Sequence, residues 1–385
     1  SYYLSSTNFM KKSYTIFFCS LLTVLVGCSG LRNNPLRETL KTPKGIIHQV
    51  IQNPEEYEVQ IIYSQIKRAA NGKVSFIDFK YNVDANQYFY PASTVKFPIA
   101  VMALEKLDAI PNTSVNSTFS IGDEATQWKV SEEVSKLFAV SDNEASNHLF
   151  EFIGFDDLNN GMKNKGLSPF RITHRLSTPN SGSRGIQPIT LYKDDGTVMK
   201  FPSTQTKAFV PLKLKGIQKG KGYLDGEEII QKPFDFSSKN YYPLETLHNT
   251  LKRIVFPEAF EEKERFKLSE KSREFILFSM QNLPRNAGYD PKEYFDGYCK
   301  FFMFGDTKEP IPDYIKIYNK VGEAYGTLTD CAYIVDSKNN IEFLVSATIL
   351  VNKDKIFNDG IYEYDSIGFP FLAELGRQLY QKSKQ

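Results

Sequence analysis

The chain has 385 residues and carries 47 Lys and Arg against 45 Asp and Glu, which gives a formal charge of +2. The whole surplus lies in residues 1–27, which contain Lys11 and Lys12 and no acidic residue. The balanced remainder disfavours a nucleic-acid-binding protein, because neutralising phosphates needs a basic surplus. The apolar content of 41% is ordinary for a folded globular protein and argues against disorder.

The N-terminal residues predict export and a lipid anchor. A short basic region at 10–12 precedes an apolar run over 14–27, which suits a secretory signal and is too short to span a bilayer. The run ends in Leu25-Val26-Gly27-Cys28, which resembles a bacterial lipobox and implies lipidation of Cys28; a cleaved signal with an incidental cysteine is the alternative. We expect an upstream extension and signal peptide over 1–27 and a lipidated tether over 28–45. The protein would then be periplasmic and anchored to a bacterial membrane, with the outer membrane favoured.

The remaining cysteines and the histidines do not form a metal-binding pattern. Cys299 and Cys331 are left after the signal, and a disulfide between them and two buried free thiols are both open. The chain has no CxxC or HExxH motif, and its four histidines are widely scattered. We therefore expect neither a metal nor another cofactor.

Apolar spacing predicts strands near both ends of the chain and helices between them. A short helix is expected over 46–56, followed by strands over 58–67 and 74–81 around the Asn71-Gly72 turn. Helical spacing then predicts further helices, over 94–107, 130–137, 144–152, 244–255 and 269–282. The C-terminal part returns to strands before a last amphipathic helix, with the strands over 314–320, 330–336 and 341–351 and the helix over 369–380. This order predicts an α+β fold, in which an antiparallel sheet from both chain ends packs on a helical region.

Residues 181–237 interrupt this pattern. They are rich in Gly, Lys and Asp, with strand-like pieces near 198–201 and 207–214. We interpret them as an insertion in one catalytic domain over 46–383. Surface decoration is the favoured role for the insertion, and covering a cleft or binding a partner are the alternatives.

The first motif that carries chemistry is Ser93-Thr94-Val95-Lys96, at the start of a predicted helix. A lysine three residues after a serine lies on the same helical face, so its amine can meet the hydroxyl. A desolvated amine has a lowered pKa and can take the serine proton. Ser64-Gln65-Ile66-Lys67 has the same spacing but lies in a predicted strand, where the two side chains point to opposite faces. For either motif by itself, a serine cap with a solvated lysine is the favoured interpretation.

Two further motifs complete a set. Ser141-Asp142-Asn143 precedes a predicted helix, where such residues are common caps; alternatively, Ser141 relays a proton and Asn143 binds the substrate and Lys96. Lys320-Val321-Gly322 ends an apolar strand, where Lys320 can hold a carboxylate or tune Ser141. Gly322 would let a substrate backbone lie along the strand edge.

Together, in this order and on these elements, the three motifs resemble those of the penicillin-recognising serine enzymes, and most closely those of class A β-lactamases. The resemblance extends over 55–180 and 238–383. It includes the segments around the motifs and a late helix at 268–283. Val321 stands where this family usually has Thr or Ser.

The resemblance implies a mechanism. Ser93 would attack a carbonyl to form an acyl-enzyme, with Lys96 as base or proton carrier. Ser141 would protonate the leaving nitrogen, and Asn143 would hold the acyl amide. The backbone N–H groups of Ser93 and Glu323 would form the oxyanion hole, and Lys320 would support the substrate carboxylate.

Two departures from the family pattern bear on turnover. Class A enzymes deacylate with a loop glutamate, whereas the matching loop over 173–181 has no acidic residue and places Asn180 near that position. A carboxylate of the insertion is the alternative source of a base, the candidates being Asp194, Asp195, Glu227 and Glu228. The usual carboxylate-binding arginine also has no match, and Thr327 and Thr329 are the candidate substitutes.

Three functions therefore remain open. The first is an exported serine hydrolase acting on β-lactams. The second is a penicillin-binding DD-peptidase or esterase-like enzyme with slow deacylation, and the third is a non-hydrolytic lipoprotein that binds cell wall. The expected partner is a β-lactam or a small peptidoglycan-like substrate, and we expect a monomer that binds no nucleic acid.

Overall fold

The computed structural model describes residues 33–384. Its helices are α1 (Pro35–Leu40), α2 (Gly45–Ile51), α3 (Pro54–Tyr57), α4 (Lys96–Asp108), α5 (Val130–Ala139), α6 (Asn143–Ile153), α7 (Phe155–Asn164), α8 (Leu244–Val255), α9 (Glu270–Gln281) and α10 (Phe369–Lys382). Its strands are β1 (Gln60–Arg68), β2 (Val74–Tyr81), β3 (Thr118–Ile121), β4 (Trp128–Lys129), β5 (Gly185–Ile186), β6 (Ile189–Tyr192), β7 (Val198–Phe201), β8 (Thr204–Gln205), β9 (Gln218–Lys219), β10 (Gly222–Asp225), β11 (Glu228–Ile230), β12 (Phe234–Asp235), β13 (Ile315–Ala324), β14 (Thr327–Asp336), β15 (Ile341–Leu350) and β16 (Ile356–Phe357). None of the helices within residues 33–384 combines the length and the apolar character that crossing a bilayer requires.

The main sheet has five antiparallel strands in the order β13-β14-β15-β1-β2. The two chain ends meet between β1 and β15, where Ile61 pairs with Ala347. Strand β13 lies at one edge, so one side of its backbone is free to pair with another extended chain. The predicted α+β fold is confirmed.

Each face of the sheet supports its own apolar core. Ile61 and Ile62 are adjacent in β1 and point to opposite faces, and both are fully buried. Ile61 packs with residues of α2 and α10, whereas Ile62 packs with residues of α4 and α8. Strand β1 is apolar on both faces because helices cover both of them.

The folded domain begins earlier than predicted. Residues 28–45 were expected to be a tether, yet α1 lies within them and the compact unit starts at Asn34. Leu36 is 1% exposed in the core that includes α10, and Asn34 caps α1 by accepting from the Arg37 N–H at 2.9 Å. The predicted lipidation site at Cys28 and the signal over 1–27 lie outside the described residues.

The other predicted elements are confirmed with small shifts. Pro54 divides the helix expected over 46–56 into α2 and α3, since a proline is tolerated at a helix start and not in its interior. No strand forms over 207–214. Pro211 has no backbone N–H to donate, and the Leu212 N–H donates to the carbonyl of Ser237, a residue that is not part of a strand. Helix α7 and strand β3 were not predicted.

The insertion is part of the domain rather than a surface decoration. Strand β6 of the insertion pairs with β3 of the helical region, and β10 pairs in parallel with β16 near the C-terminus. The chain enters and leaves this region side by side, because Arg171 and Tyr241 exchange two backbone hydrogen bonds of 2.9 Å. Phe236 is 1% exposed beneath the site described below.

Candidate active site

Ser93 lies in a short 3₁₀ turn, Ala92–Val95, that leads directly into α4. It is partly exposed and lines a cleft of about 700 Å³, while its neighbours Thr94 and Val95 are buried. Ala92 adopts a left-handed backbone with φ 47°, a strained conformation for a residue with a side chain. The turn therefore presents one hydroxyl of the motif to the cleft.

The second serine and lysine at the same spacing do not form a site. Ser64 lies in β1 and is fully buried, donating to Asp78 Oδ1 at 2.6 Å and contacting His248 Nε2 at 2.7 Å. Lys67 is exposed. In the strand the two side chains diverge, as the alternation of this segment predicts.

Lys96 is completely buried and bonded to the second motif. Its Nζ donates to the Ser141 carbonyl at 2.5 Å and to Asn143 Oδ1 at 2.6 Å, and lies 3.2 Å from Ser141 Oγ. Burial, and secondarily the charge of Lys320, hold the pKa of Lys96 well below its usual value. An uncharged amine has two N–H groups, so these two oxygens can use both and leave a lone pair for the Ser93 proton.

The three residues of Ser141-Asp142-Asn143 have different tasks. Asp142 is the helix cap, because its carboxylate accepts from the Ala145 N–H at 2.8 Å at the start of α6. Ser141 is held at φ 56°, a left-handed conformation that costs a residue with a side chain about 1–2 kcal/mol. The cap interpretation therefore applies to Asp142, whereas Ser141 and Asn143 contact Lys96.

Lys320 completes the cluster from the sheet. It is 2% exposed, and its Nζ donates to Ser141 Oγ and to the Val321 carbonyl, both at 2.8 Å. Burial lowers the pKa of Lys320 to about 8. Ser141 Oγ thus lies between the amines of Lys96 and Lys320.

Both cysteines of the described chain are free and buried. Cys299 lines the cleft, and Cys331 Sγ lies 3.7 Å from the Lys320 carbonyl. The disulfide left open by the sequence is absent. Within residues 33–384, no group of three or more His, Cys, Asp or Glu side chains is placed to hold a metal ion.

Gly322 is required for a different reason than the predicted one. A Cβ at this position would lie 2.7 Å from the Pro91 carbonyl oxygen and 3.2 Å from the Ser93 nitrogen. The glycine thus lets β13 touch the turn that carries Ser93, whereas the sequence suggested that it makes room for substrate.

Gly322→Ala should therefore impair both folding and acylation. Backbone atoms cannot yield as a flexible side chain can, so we expect the free energy of unfolding to fall by about 1–3 kcal/mol. Displacement of Ser93 should slow its acylation by about 10²-fold. Urea unfolding and rates of labelling by penicillin measure both, with Gly182→Ala as the control because its Cβ would meet nothing within 4 Å. Equal behaviour of the two variants would contradict this role.

The predicted carboxylate partners do not reach the cleft. Thr327 and Thr329 are buried, and Thr329 Oγ1 bonds to Thr348 Oγ1 at 2.8 Å. Neither is among the described residues that line the cleft. Both threonines lie on β14, the strand next to β13, and this position keeps them out of the cleft. The prediction that they take the place of the family's carboxylate-binding arginine is therefore wrong.

The loop over 173–181 is firmly anchored beside Ser93. Arg175 forms an ion pair with Glu151 and donates to the Ser183 and Gly185 carbonyls, each at 2.7 Å. Ser177, Thr178 and Ser181 line the cleft.

Asn180 does not occupy the predicted deacylation position. It is exposed in a tight turn with φ 55°, where its carbonyl accepts from the Ser183 N–H, and it does not line the cleft. The carboxylates of the insertion are also absent from the cleft; Asp194, for example, accepts from Ser117 Oγ at 2.7 Å. Among the described residues, Glu323 is the single carboxylate that lines it.

Several cleft residues were not singled out by the sequence as parts of the site. They come from the segment before Ser93, the loop over 173–181, the segment after the insertion, the segment before β13, and the loop after β16, and include Tyr90, His174, Lys239, Tyr298, Asn358 and Tyr362. Tyr90 packs edge-on against Tyr325 with ring centroids 5.0 Å apart, and both contact Phe236. The aromatic content of 14% did not indicate this wall of the cleft, because an aromatic excess is more often part of a core.

Comparisons with known proteins agree with this geometry. A family model described as "Beta-lactamase enzyme family" matches residues 46–204. The extended-spectrum β-lactamase TLA-1 is 14% identical, and the match covers 91% of this chain and 98% of that one with a TM-score of 0.54. A class A β-lactamase from Bacteroides cellulosilyticus is 13% identical with the same coverages and a TM-score of 0.51. A search of curated proteins found no match.

These structures establish the fold, and the family model covers the segment that contains Ser93, Lys96 and Ser141. The chain has the β-lactamase fold, and residues 46–204 match the β-lactamase family model.

Proposed function

We propose that the protein is a serine hydrolase in which Ser93 opens β-lactam amides to form an acyl-enzyme that is released slowly. The observation that carries this proposal is the buried Lys96 amine, which is bonded to Ser141 and Asn143 and has a pKa well below its usual value. Such an amine can serve as a base near neutral pH.

Acylation would proceed through these side chains. Ser93 Oγ attacks the amide carbon while its proton moves to Lys96 Nζ. When the carbon–nitrogen bond breaks, Ser141 gives its proton to the leaving nitrogen and regains one from Lys96. The charged amine of Lys320, bonded to Ser141 Oγ at 2.8 Å, would stabilise this relay and attract a substrate carboxylate.

The sheet edge would orient the substrate. Strand β13 is free on one side, so an acyl amide can pair with its backbone opposite Asn143. The backbone N–H groups of Ser93 and Glu323 would stabilise the oxyanion.

Slow release follows from the chemistry of the loop. Hydrolysis of an acyl-enzyme needs a base for water, and none of Ser177, Thr178 and Ser181 can act as one. The cleft groups that could, His174 of the loop and Glu323 of β13, are not the loop glutamate that class A enzymes use. This observation favours a second candidate substrate, a peptidoglycan stem peptide, on which a DD-peptidase or esterase-like enzyme would act. A non-hydrolytic lipoprotein that binds cell wall is the third candidate.

Labelling with a fluorescent penicillin tests the proposal. We expect wild-type protein to form a covalent adduct that lasts for hours, and Ser93→Ala to form none. No adduct under conditions that label a known enzyme would refute acylation at Ser93. Rapid steady hydrolysis of nitrocefin, lost in Ser93→Ala, would refute slow release and indicate an efficient β-lactamase.

We also propose export with a lipid anchor at Cys28, which the sequence of residues 10–28 alone supports. Incorporation of labelled palmitate into the wild-type protein and its loss in Cys28→Ala would test it.

Acylation should depend on pH in a bell shape. As the pH rises above about 8, Lys320 loses its proton and its attraction for Ser141 and a carboxylate, so the rate should fall there. As the pH falls, protonation of Lys96 should remove the base, and this limb should lie well below the usual pKa of lysine. Rates of penicillin labelling between pH 5 and 10 measure both limbs, and a rate that keeps rising to pH 10 would exclude the role of Lys320.

A further inference from the structure

Lys239 lies at the wall of the cleft, in the neck of the insertion, where the segments around Arg171 and Tyr241 run side by side. On one side of it the Ser238 carbonyl accepts from Thr173 Oγ1 at 2.7 Å. On the other side Asn240 is completely buried, and its Oδ1 accepts from the Thr173 and His174 N–H groups at 2.8 and 3.2 Å. The backbone of Lys239 is therefore fixed beside the loop that lines the cleft.

The ammonium of Lys239 has no counter-ion among the residues that the structure describes. The side chain is half-buried and lines the cleft, and its Nζ forms neither an ion pair nor a hydrogen bond within residues 33–384. Burial lowers the pKa of Lys239, with no opposing carboxylate to raise it. A desolvated cation without a partner is unfavourable, so an anion that enters the cleft would gain by pairing with it.

The other cations at the site already have partners in the protein. Lys320 and Lys96 are bonded to Ser141, and Arg175 is paired with Glu151 and two carbonyls. Lys239 differs from them in having no partner among the described residues.

The hydroxyl groups near Lys239 fit an anionic ligand, whereas the ring of His174 does not donate to one. His174 Nδ1 lies 2.6 Å from the Arg175 carbonyl and must donate to it, so the buried Nε2, which has no hydrogen-bond partner in the described chain, is an acceptor in the neutral ring. His174 lies near Lys239, because the His174 N–H donates to the side chain of the adjacent Asn240 at 3.2 Å. Burial, and secondarily the charge of Lys239, lower the pKa of His174. The hydroxyls of Ser177 and Thr178 line the same cleft and can donate hydrogen bonds.

We infer that Lys239 forms a second anion subsite, which binds a carboxylate on the acyl side chain of the substrate. This inference rests on the proposed acylation of Ser93. The ring or terminal carboxylate would pair with Lys320, whereas the acyl side chain would extend past Asn143 toward the loop and Lys239. Substrates with two carboxylates, such as glutamate-containing peptides or carboxylated penicillins, would be preferred over their uncharged analogues.

Carbenicillin and benzylpenicillin test this preference, because they differ by one carboxylate on the acyl side chain. We expect the acylation rate at low salt to favour carbenicillin by about tenfold, as for one charge-assisted hydrogen bond. In Lys239→Met the ratio of the two rates should fall to about one or below, and Lys239→Arg should restore part of it. Lys200→Met is the control, since this exposed lysine of β7 lies outside the cleft. A wild-type ratio near one, or the same ratio in Lys239→Met, would overturn the inference.

A binding measurement separates this inference from the proposed reaction. N-Acetyl-D-glutamate, titrated into Ser93→Ala, should shift the NMR signals of the His174 ring, whereas N-acetyl-D-glutamine should not. The shift should be absent in Ser93→Ala that also carries Lys239→Met. If neither penicillin acylates Ser93 but the glutamate-specific shift is present, the proposed reaction fails and the subsite stands. If acylation proceeds and the shift is absent, the subsite fails alone.

Discussion

Replacing Lys96 with Met should slow acylation of Ser93 by penicillin by about 10²- to 10⁴-fold, the usual contribution of a general base. The two side chains are similar in length, but Met has no lone pair that can take the Ser93 proton. Lys96 is completely buried, and its burial disfavours the charged form. Met can therefore replace the uncharged side chain with a smaller effect on the free energy of unfolding than on the free energy of activation for acylation. Stopped-flow labelling and urea unfolding measure the two quantities.

Lys67→Met is the matched control for this experiment. It changes the lysine of the other serine–lysine pair, which is exposed on β1, and should leave both the acylation rate and the stability unchanged. An acylation rate in Lys96→Met within threefold of the wild-type rate would show that another group takes the proton.

Placing a carboxylate in the loop should shorten the lifetime of the acyl-enzyme. Ser177→Glu would add a base on the cleft wall, and we expect deacylation to accelerate by about 10²-fold or more. Ser177 already has φ 48°, so the substitution adds little backbone strain. The bonds of Arg175 to the Ser183 and Gly185 carbonyls should keep the loop in place.

Asn180→Glu separates a specific base from a general effect of charge. Asn180 is exposed and does not line the cleft, so its replacement should leave the lifetime unchanged. The decay of a fluorescent penicillin adduct measures both variants. If Asn180→Glu shortens the adduct lifetime and Ser177→Glu does not, the sequence-based assignment of Asn180 would be restored. That result would contradict the position of the loop in the structure.

The elements of the main sheet and their helical neighbours were predictable because their signal is local. Strand β2 has the predicted bounds, and α4 and α8 follow the spacing of their apolar residues. Ser93, Lys96 and Ser141 were predicted because each lies at an element boundary, where the pattern of the sequence changes. Lys320 lies inside β13 and was predicted from its Lys-x-Gly motif.

Errors arose where the position of a residue depends on distant parts of the chain. The roles given to Asn180 and Thr329 came from counting along a loop and a strand. Such counting cannot show that one side chain faces solvent and the other faces β15. The tether was misassigned for a similar reason, since Leu36 is buried by α10 from the other end of the chain.

The sequence by itself determined the fold class and predicted a candidate nucleophile, because periodicity and motif spacing are properties of neighbouring residues. Only the tertiary structure decided how the cleft is charged: it placed the candidate carboxylates of the insertion outside the cleft, leaving Glu323, and brought Lys239 near His174. Residues 174 and 239 are separated by the whole insertion, and their contact depends on backbone hydrogen bonds at its neck. The charge balance near zero in the sequence thus gives no measure of the charge that a substrate meets in the cleft.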